Sequence, residues 1–147
     1  MLKDVSQVKR KTIQKHFVSV IVPKGNSILL LQRKPDDFLP NIFELPGGRV
    51  EEKESLENAA KRELAEETGF VLKNFKAYLG YYNFKGQSKG INRMFNFVVS
   101  VEEISEIKYS EHQAYVWIVK NDLPSYSIHD KTLEMIRLYF NYFLGLK

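Results

Sequence analysis

The sequence predicts a mixed α/β fold in which a β-sheet is flanked by helices. Three observations carry this. Segments with strand and helix character follow one another in the order β-β-α-β-β-β-α, and the strand runs are long enough for antiparallel pairing. The 147 residues are 44% apolar and 13% aromatic, so a single domain over residues 1–147 can bury a core. No apolar run approaches the roughly 20 residues of a membrane helix, and the charged N-terminus has no signal-peptide pattern. A cytoplasmic protein without a membrane partner is expected.

Taken in order, residues 1–11 read as either a short helix or a tail. Residues 17–22 and Ser27–Arg33 are rich in β-formers and are joined by Pro23-Lys24-Gly25-Asn26, which predicts a hairpin. Residues 34–41 contain Pro35, Asp36, Asp37 and Pro40 and read as a loop. Residues 42–45 form a short strand, stopped by a tight turn at Pro46-Gly47-Gly48. Residues 55–68 are dominated by Leu, Ala, Glu and Lys and predict a helix, with Ser55 as N-cap and Gly69 closing it. Two strands, 75–84 and 93–101, pair across the intervening residues 85–90. A last strand covers 114–119. The C-terminal helix, 129–143, carries Leu133, Ile136, Leu138 and Phe140.

The composition excludes several chemistries. With no cysteine there is no disulfide framework, no cysteine metal site and no thiol catalysis. The net charge of +4 invites a nucleic-acid reading, but it is unevenly spread. Residues 48–70 hold seven glutamates against four basic residues, a net −3; the remainder has 18 basic against 11 acidic residues, a net +7.

The acidic segment coincides with the 55–68 helix. On a wheel of about 100° per residue, Leu56, Ala59, Ala60 and Leu64 define the apolar face. Glu63 and Glu67 fall within that face and Glu66 at its edge, whereas Lys61 lies opposite. Carboxylates turned inward need a cation, a basic partner or hydrogen bonds. Helix dipoles also disfavour them near a C-terminus. Arg62 can reach Glu63 or Glu66, but the bases are too few to match the acids. Hard oxygen ligands of this kind select magnesium, manganese or calcium.

Written out, the segment is Gly48-x5-Glu54-x7-Arg62-Glu63-Leu64-x-Glu66-Glu67-x-Gly69-Phe70, 23 residues in all. It resembles the Nudix box of the Nudix hydrolases, with every specified position filled. The flanks resemble the MutT-like subgroup: Phe43-Glu44-Leu45-Pro46-Gly47-Gly48 leads into the box, Leu29-Leu30-Leu31-Gln32-Arg33 is similar to the preceding strand, and Glu111 stands six residues before Trp117.

This resemblance implies an α/β/α sandwich with a mixed sheet. It also implies hydrolysis of a nucleoside diphosphate linked to another moiety, with Mg²⁺ as cofactor or Mn²⁺ in its place. By the resemblance, Glu63, Glu66, Glu67 and the Gly47 carbonyl bind metal, and Arg62 orients a glutamate. Glu54 supports these ligands, adds one, or merely favours the helix N-terminus. The general base is Glu63 or Glu111, the latter also a metal-ligand candidate. Arg33, Glu44, Tyr82 and Arg93 are the substrate-binding candidates. Tyr78, Gly80, Tyr82 and Phe84 are expected to share a strand face. His16, His112 and His129 show no ligand spacing and receive no role.

The substrate expected from the flanks is a small-molecule nucleotide: a nucleoside triphosphate, oxidised purine forms included, cleaved to monophosphate and pyrophosphate. The Asn expected near the last helix for guanine reading has no counterpart in Ser125-Tyr126-Ser127-Ile128-His129. No Pro lies between Pro46 and Pro124, as ADP-ribose hydrolases would carry, and no Tyr directly follows Phe84, as in dinucleoside polyphosphate hydrolases. The alternatives are hydrolysis of an RNA 5′ end and a non-catalytic nucleotide- or RNA-binding module. An isoprenoid isomerase of the same fold is excluded by the missing cysteine. The chain is expected to act as a monomer or homodimer.

Overall fold

Strands β1 (Ile13–Ile21) and β3 (Ser27–Arg33) set the architecture, because both are buried on two faces. Val18, Val20, Leu29 and Leu31 enter one apolar core, and Ile21, Ile28 and Leu30 enter another. Strands that feed two cores must lie between two covering layers. Those layers are helices. Helix α1 (Leu56–Thr68) sends Ala59, Ala60 and Leu64 into the first core, and α2 (Asp130–Tyr142) sends Ile136, Tyr139 and Phe140 into the second. The computed structural model describes residues 12–87, 89–108 and 111–144, so the reading of residues 1–11 falls outside them.

The middle layer divides into two four-stranded sheets. The first runs β5 (Gly47–Arg49), β1, β7 (Ile91–Val101), β6 (Leu72–Phe84), with β1 and β7 parallel and the other pairs antiparallel. In the second, β3 pairs antiparallel with β2 (Pro23–Lys24), β4 (Phe43–Glu44) and β8 (His112–Ile118). A 3-10 helix, Lys120–Ser125, which the sequence reading lacks, leads toward α2. The mixed sheet between helices is as expected.

Three local expectations change. The hairpin closes only at its tip, where Pro23 pairs with Ile28 and Lys24 with Ser27 around Gly25 at φ 58°. Beyond the tip β1 leaves for the other sheet, where β5 and β7 supply its hydrogen bonds. The expected turn at Pro46-Gly47-Gly48 instead leads into β5, and Ser19 faces Gly47 across the pair. Finally, β6 carries a bulge: Tyr78 opposes Phe97 and Gly80 opposes Asn96, so Leu79 is an extra residue, with Gly80 at φ 96°. One added residue inverts the alternation of faces. Tyr78 therefore packs on Phe97, whereas Tyr82 faces the cavity described below.

Helix α1 is bounded as its sequence dictates. Ser55 Oγ accepts from the Asn58 N–H at 3.1 Å, and Gly69, at φ 81°, donates its N–H to the Ala65 carbonyl at 2.9 Å.

Candidate active site

The carboxylates of α1 face β5, and glycine makes the approach possible. A Cβ on Gly47 would overlap the Val18 carbonyl oxygen, and one on Gly48 would overlap the Glu63 carboxylate. Without a side chain Gly47 lets β5 lie against β1 and Gly48 lets it lie against α1, where the Gly47 N–H donates to Glu67 Oε1 at 2.6 Å. Glu67 is 6% exposed. Burial pushes its carboxyl up to about 9, the charges of Glu44, Glu63 and Glu111 push the same way, and the Gly47 hydrogen bond only partly offsets them.

Arg62 organises the other acids. Its Nε donates to Glu54 Oε2 at 2.8 Å and its Nη2 to Glu54 Oε1 at 2.9 Å, a bidentate pair. Nη1 donates to Glu63 Oε1 at 2.8 Å and reaches Glu66 Oε2 at 3.3 Å, and Nη2 also reaches the Arg49 carbonyl at 2.9 Å. These hydrogen bonds hold Glu54 down to about 2 and raise Arg62. Glu63 is raised, because its burial outweighs the nearby guanidinium. Arg62 thus neutralises the outer carboxylates and leaves the inner one, Glu67, without a basic side chain hydrogen-bonded to it among the described residues.

A second chain of contacts runs along the sheet. Arg33 bridges Asp37 at 2.8 Å and Glu44 Oε1 at 3.2 Å. Glu44 Oε2 pairs with His112 Nε2 at 2.8 Å, and His112 Nδ1 stands 3.6 Å from Glu67 Oε2. Beside this chain opens a cavity of about 460 Å³. Phe17, Phe43, Tyr82, Phe84 and Met94 give it apolar walls, while Arg33, Glu44 and Lys15 supply charge. Tyr82 OH meets Thr132 Oγ1 at 3.4 Å, and burial raises the phenol. Asn92, 2% exposed, lines the same cavity, and its Oδ1 has no hydrogen-bond partner among the described residues.

The structure thus brings Gly47, Glu54, Arg62, Glu63, Glu66 and Glu67 together, with Arg33, Glu44 and Tyr82 on the adjoining cavity. Glu111 is exposed, and its charge acts on both Glu63 and Glu67. Arg93 lies elsewhere: its guanidinium stacks 4.0 Å above the Tyr81 ring and its Nε donates to Asn83 Oδ1, so it does not line the cavity. His112 is the residue the sequence reading passed over. It sits next to Glu111 at the start of β8, but its partner Glu44 is 68 positions away, so no local spacing could reveal it. Lys15 and Phe17 on β1, Asn92 on β7 and Thr132 on α2 were equally hidden, because three separate elements bring them together.

The pattern of the NUDIX domain matches residues 13–139, most of the chain. The chain belongs to the Nudix family. This Nudix hydrolase is an enzyme of nucleotide phosphoric anhydride bonds, and it groups with MutT-like members. It is 30% identical to the 8-oxo-dGTP diphosphatase of Haemophilus influenzae over 141 residues, 96% of each chain. It is 47% identical to the ADP-ribose pyrophosphatase of Methanocaldococcus jannaschii over 66 residues, which span 45% of this chain and only 38% of that one. A CTP pyrophosphohydrolase of Escherichia coli is 27% identical over 124 residues, covering 83% of this chain and 88% of that one. Among solved structures, an Ap4A hydrolase of C. elegans superposes with a TM-score of 0.73 at 17% identity, covering 89% of this chain and 98% of that one, which speaks for the fold.

The donor set of this Nudix enzyme fits a divalent cation. Glu67 and Glu63 are oxygen donors held on one helix face, and the high proton affinity of Glu67 is what a carboxylate shows when it lacks a positive partner. Among the described residues no helix is long and apolar enough to cross a membrane.

Proposed function

We propose that this chain hydrolyses nucleoside triphosphates to the monophosphate and pyrophosphate in a Mg²⁺-dependent reaction. The carrying observation is the buried Glu67, tied to the Gly47 amide and crowded by Glu44, Glu63 and Glu111 beside a nucleoside-sized cavity. Glu63, Glu66, Glu67 and the Gly47 carbonyl would hold the ion. Bound there, the ion would neutralise polyphosphate charge and acidify water.

The chain's own residues do the rest. Arg62 fixes Glu63 and Glu54 through its fork, so the ligand geometry exists before substrate arrives. Arg33, at the cavity rim, offers a guanidinium to phosphate oxygens, with Glu44 and Asp37 holding it in place. The aromatic walls suit a base stacked among Phe17, Tyr82 and Phe84. Glu111 takes the proton of the attacking water: it is exposed, whereas Glu63 already accepts from Arg62.

Support for a triphosphate comes from relatives whose names specify 8-oxo-dGTP and CTP and whose matches span most of both chains. The test is a panel of nucleoside triphosphates, ADP-ribose, dinucleoside polyphosphates and triphosphorylated RNA, with and without Mg²⁺ and with product identification. Monophosphate plus pyrophosphate from a triphosphate supports the proposal. Diphosphate plus phosphate, or turnover of RNA ends alone, overturns it.

A further inference from the structure

The histidine between the two carboxylates has a geometry that ordinary hydrogen bonding leaves unused. His112 is 4% exposed in its side chain. Glu44 is paired through Oε1 with the Arg33 guanidinium, and an ionised carboxylate can only accept, so its other oxygen, Oε2, takes a hydrogen bond from His112 Nε2–H at 2.8 Å. In the neutral ring the other nitrogen, Nδ1, then presents its lone pair. Nδ1 is buried and has no hydrogen-bond partner among the described residues. It faces Glu67 Oε2 across 3.6 Å, too long for a hydrogen bond. Glu67 Oε1 is held by the Gly47 amide at 2.6 Å, which turns Oε2 toward the imidazole.

Two ligand atoms, each about 2.1 Å from a tetrahedral metal, stand about 3.4 Å apart, close to the separation found here. Glu44, His112 and Glu67 are also the His and acid group whose ligand atoms lie within 4.8 Å of one another. A histidine that ligates a metal characteristically gives its other N–H to a carboxylate, which fixes the tautomer and strengthens the donor. Glu44 stands in that place.

We infer that His112 Nδ1 and Glu67 Oε2 form a nitrogen–oxygen position for a first-row transition cation of the Mn²⁺, Co²⁺ or Zn²⁺ class. Glu44 acts there as the positioning residue for the imidazole. An imidazole ligand favours these ions over Mg²⁺, which prefers oxygen alone. The inference rests on the reading of Glu67 as a cation ligand and adds the ion class that the site prefers. Water and substrate phosphate would complete the coordination.

The test is pulsed electron paramagnetic resonance of the full chain loaded with Mn²⁺ alone, in natural-abundance and ¹⁵N-histidine forms. Titrations of Mn²⁺ and Mg²⁺ run alongside. Expected is a histidine nitrogen coupling that changes with the isotope and disappears in His112→Gln. Mn²⁺ affinity should fall about tenfold or more in that variant, while Mg²⁺ affinity stays within twofold. Glu44→Gln should retain the coupling but weaken Mn²⁺ binding. If His112→Gln does not fold, His112→Asn takes its place, and if neither folds the wild-type spectrum decides. Mn²⁺ bound without nitrogen coupling overturns this inference and leaves the carboxylate site standing, as does coupling that survives in His112→Gln. No Mn²⁺ binding to the wild type overturns both.

Discussion

Gly48→Ala separates the chemistry of the site from the stability of the fold. The added Cβ would lie 2.5 Å from Glu63 Oε2 and 2.6 Å from Oε1, where ordinary contact begins at 3.4 Å. The carboxyl carbon lies nearer still, so the carboxylate must retreat by about 1 Å to reach ordinary contact. The group that moves is the end of a side chain, so the backbone of β5 and α1 stays in place. Stability should fall by less than about 1 kcal/mol, a shift of roughly 2–4 °C in Tm. The retreat still pulls Glu63 away from the 2.8 Å hydrogen bond with Arg62 and from its place among the ligands. A misplacement near 1 Å can reduce turnover by about a hundredfold. The assay is pyrophosphate release at saturating nucleotide, beside thermal unfolding of Gly48→Ala, Glu63→Ala and the double variant. If Gly48 acts through Glu63, the double variant should be no slower than Glu63→Ala. Full activity in Gly48→Ala, or losses that simply add, would refute the reasoning.

Other perturbations have equally definite outcomes. Glu67 is raised from 4.5 to about 9 when folded without metal, so the native state holds a proton that the unfolded chain releases. Metal-free stability should therefore fall as pH rises from about 4.5 to about 9, in chemical denaturation curves taken with chelator, and Glu67→Gln should remove that part of the slope and abolish turnover. Arg62→Lys cannot reproduce the fork on Glu54 together with the contact to Glu63, and kcat should drop at least tenfold with KM little changed. Gly80→Ala meets no neighbour but forces a side chain to φ 96°, and should destabilise by about 1–3 kcal/mol in urea unfolding.

What the sequence disclosed was whatever is written at short range. The α1 caps, the glutamates on its buried face and the Arg62 that orders them lie within one helix, where a fixed period converts spacing into geometry. The class of fold was legible for the same reason, since strands and helices announce themselves locally. What stayed hidden depends on pairing. Whether 17–22 continues beside 27–33 or leaves for another sheet is decided by partners such as Gly47 and Met94, far along the chain. The bulge at Leu79 reversed the faces of the Tyr78 to Phe84 run, a change that no alternation count contains. His112 acquired its place only because β3 holds β4 and β8 on its two sides. Arg93 looked like a binding residue by charge and strand position, yet the aromatic ring of Tyr81 across the ladder claims it.

The division of the middle layer into two sheets bears on how such a molecule can change over time. The cavity lies where the sheets part: β1, β6 and β7 build one wall, the end of β3 with β4 builds the other, and Gly47 and Gly48 of β5 close it toward α1. The acids of α1 stand on the far side of β5, whose two glycines are the element they share with the cavity. Drift in the walls at Phe17, Tyr82, Phe84 or Met94 can alter what is held while the Glu54–Arg62–Glu63 lattice is inherited intact. Selectivity and reactivity are thus heritable as separate traits.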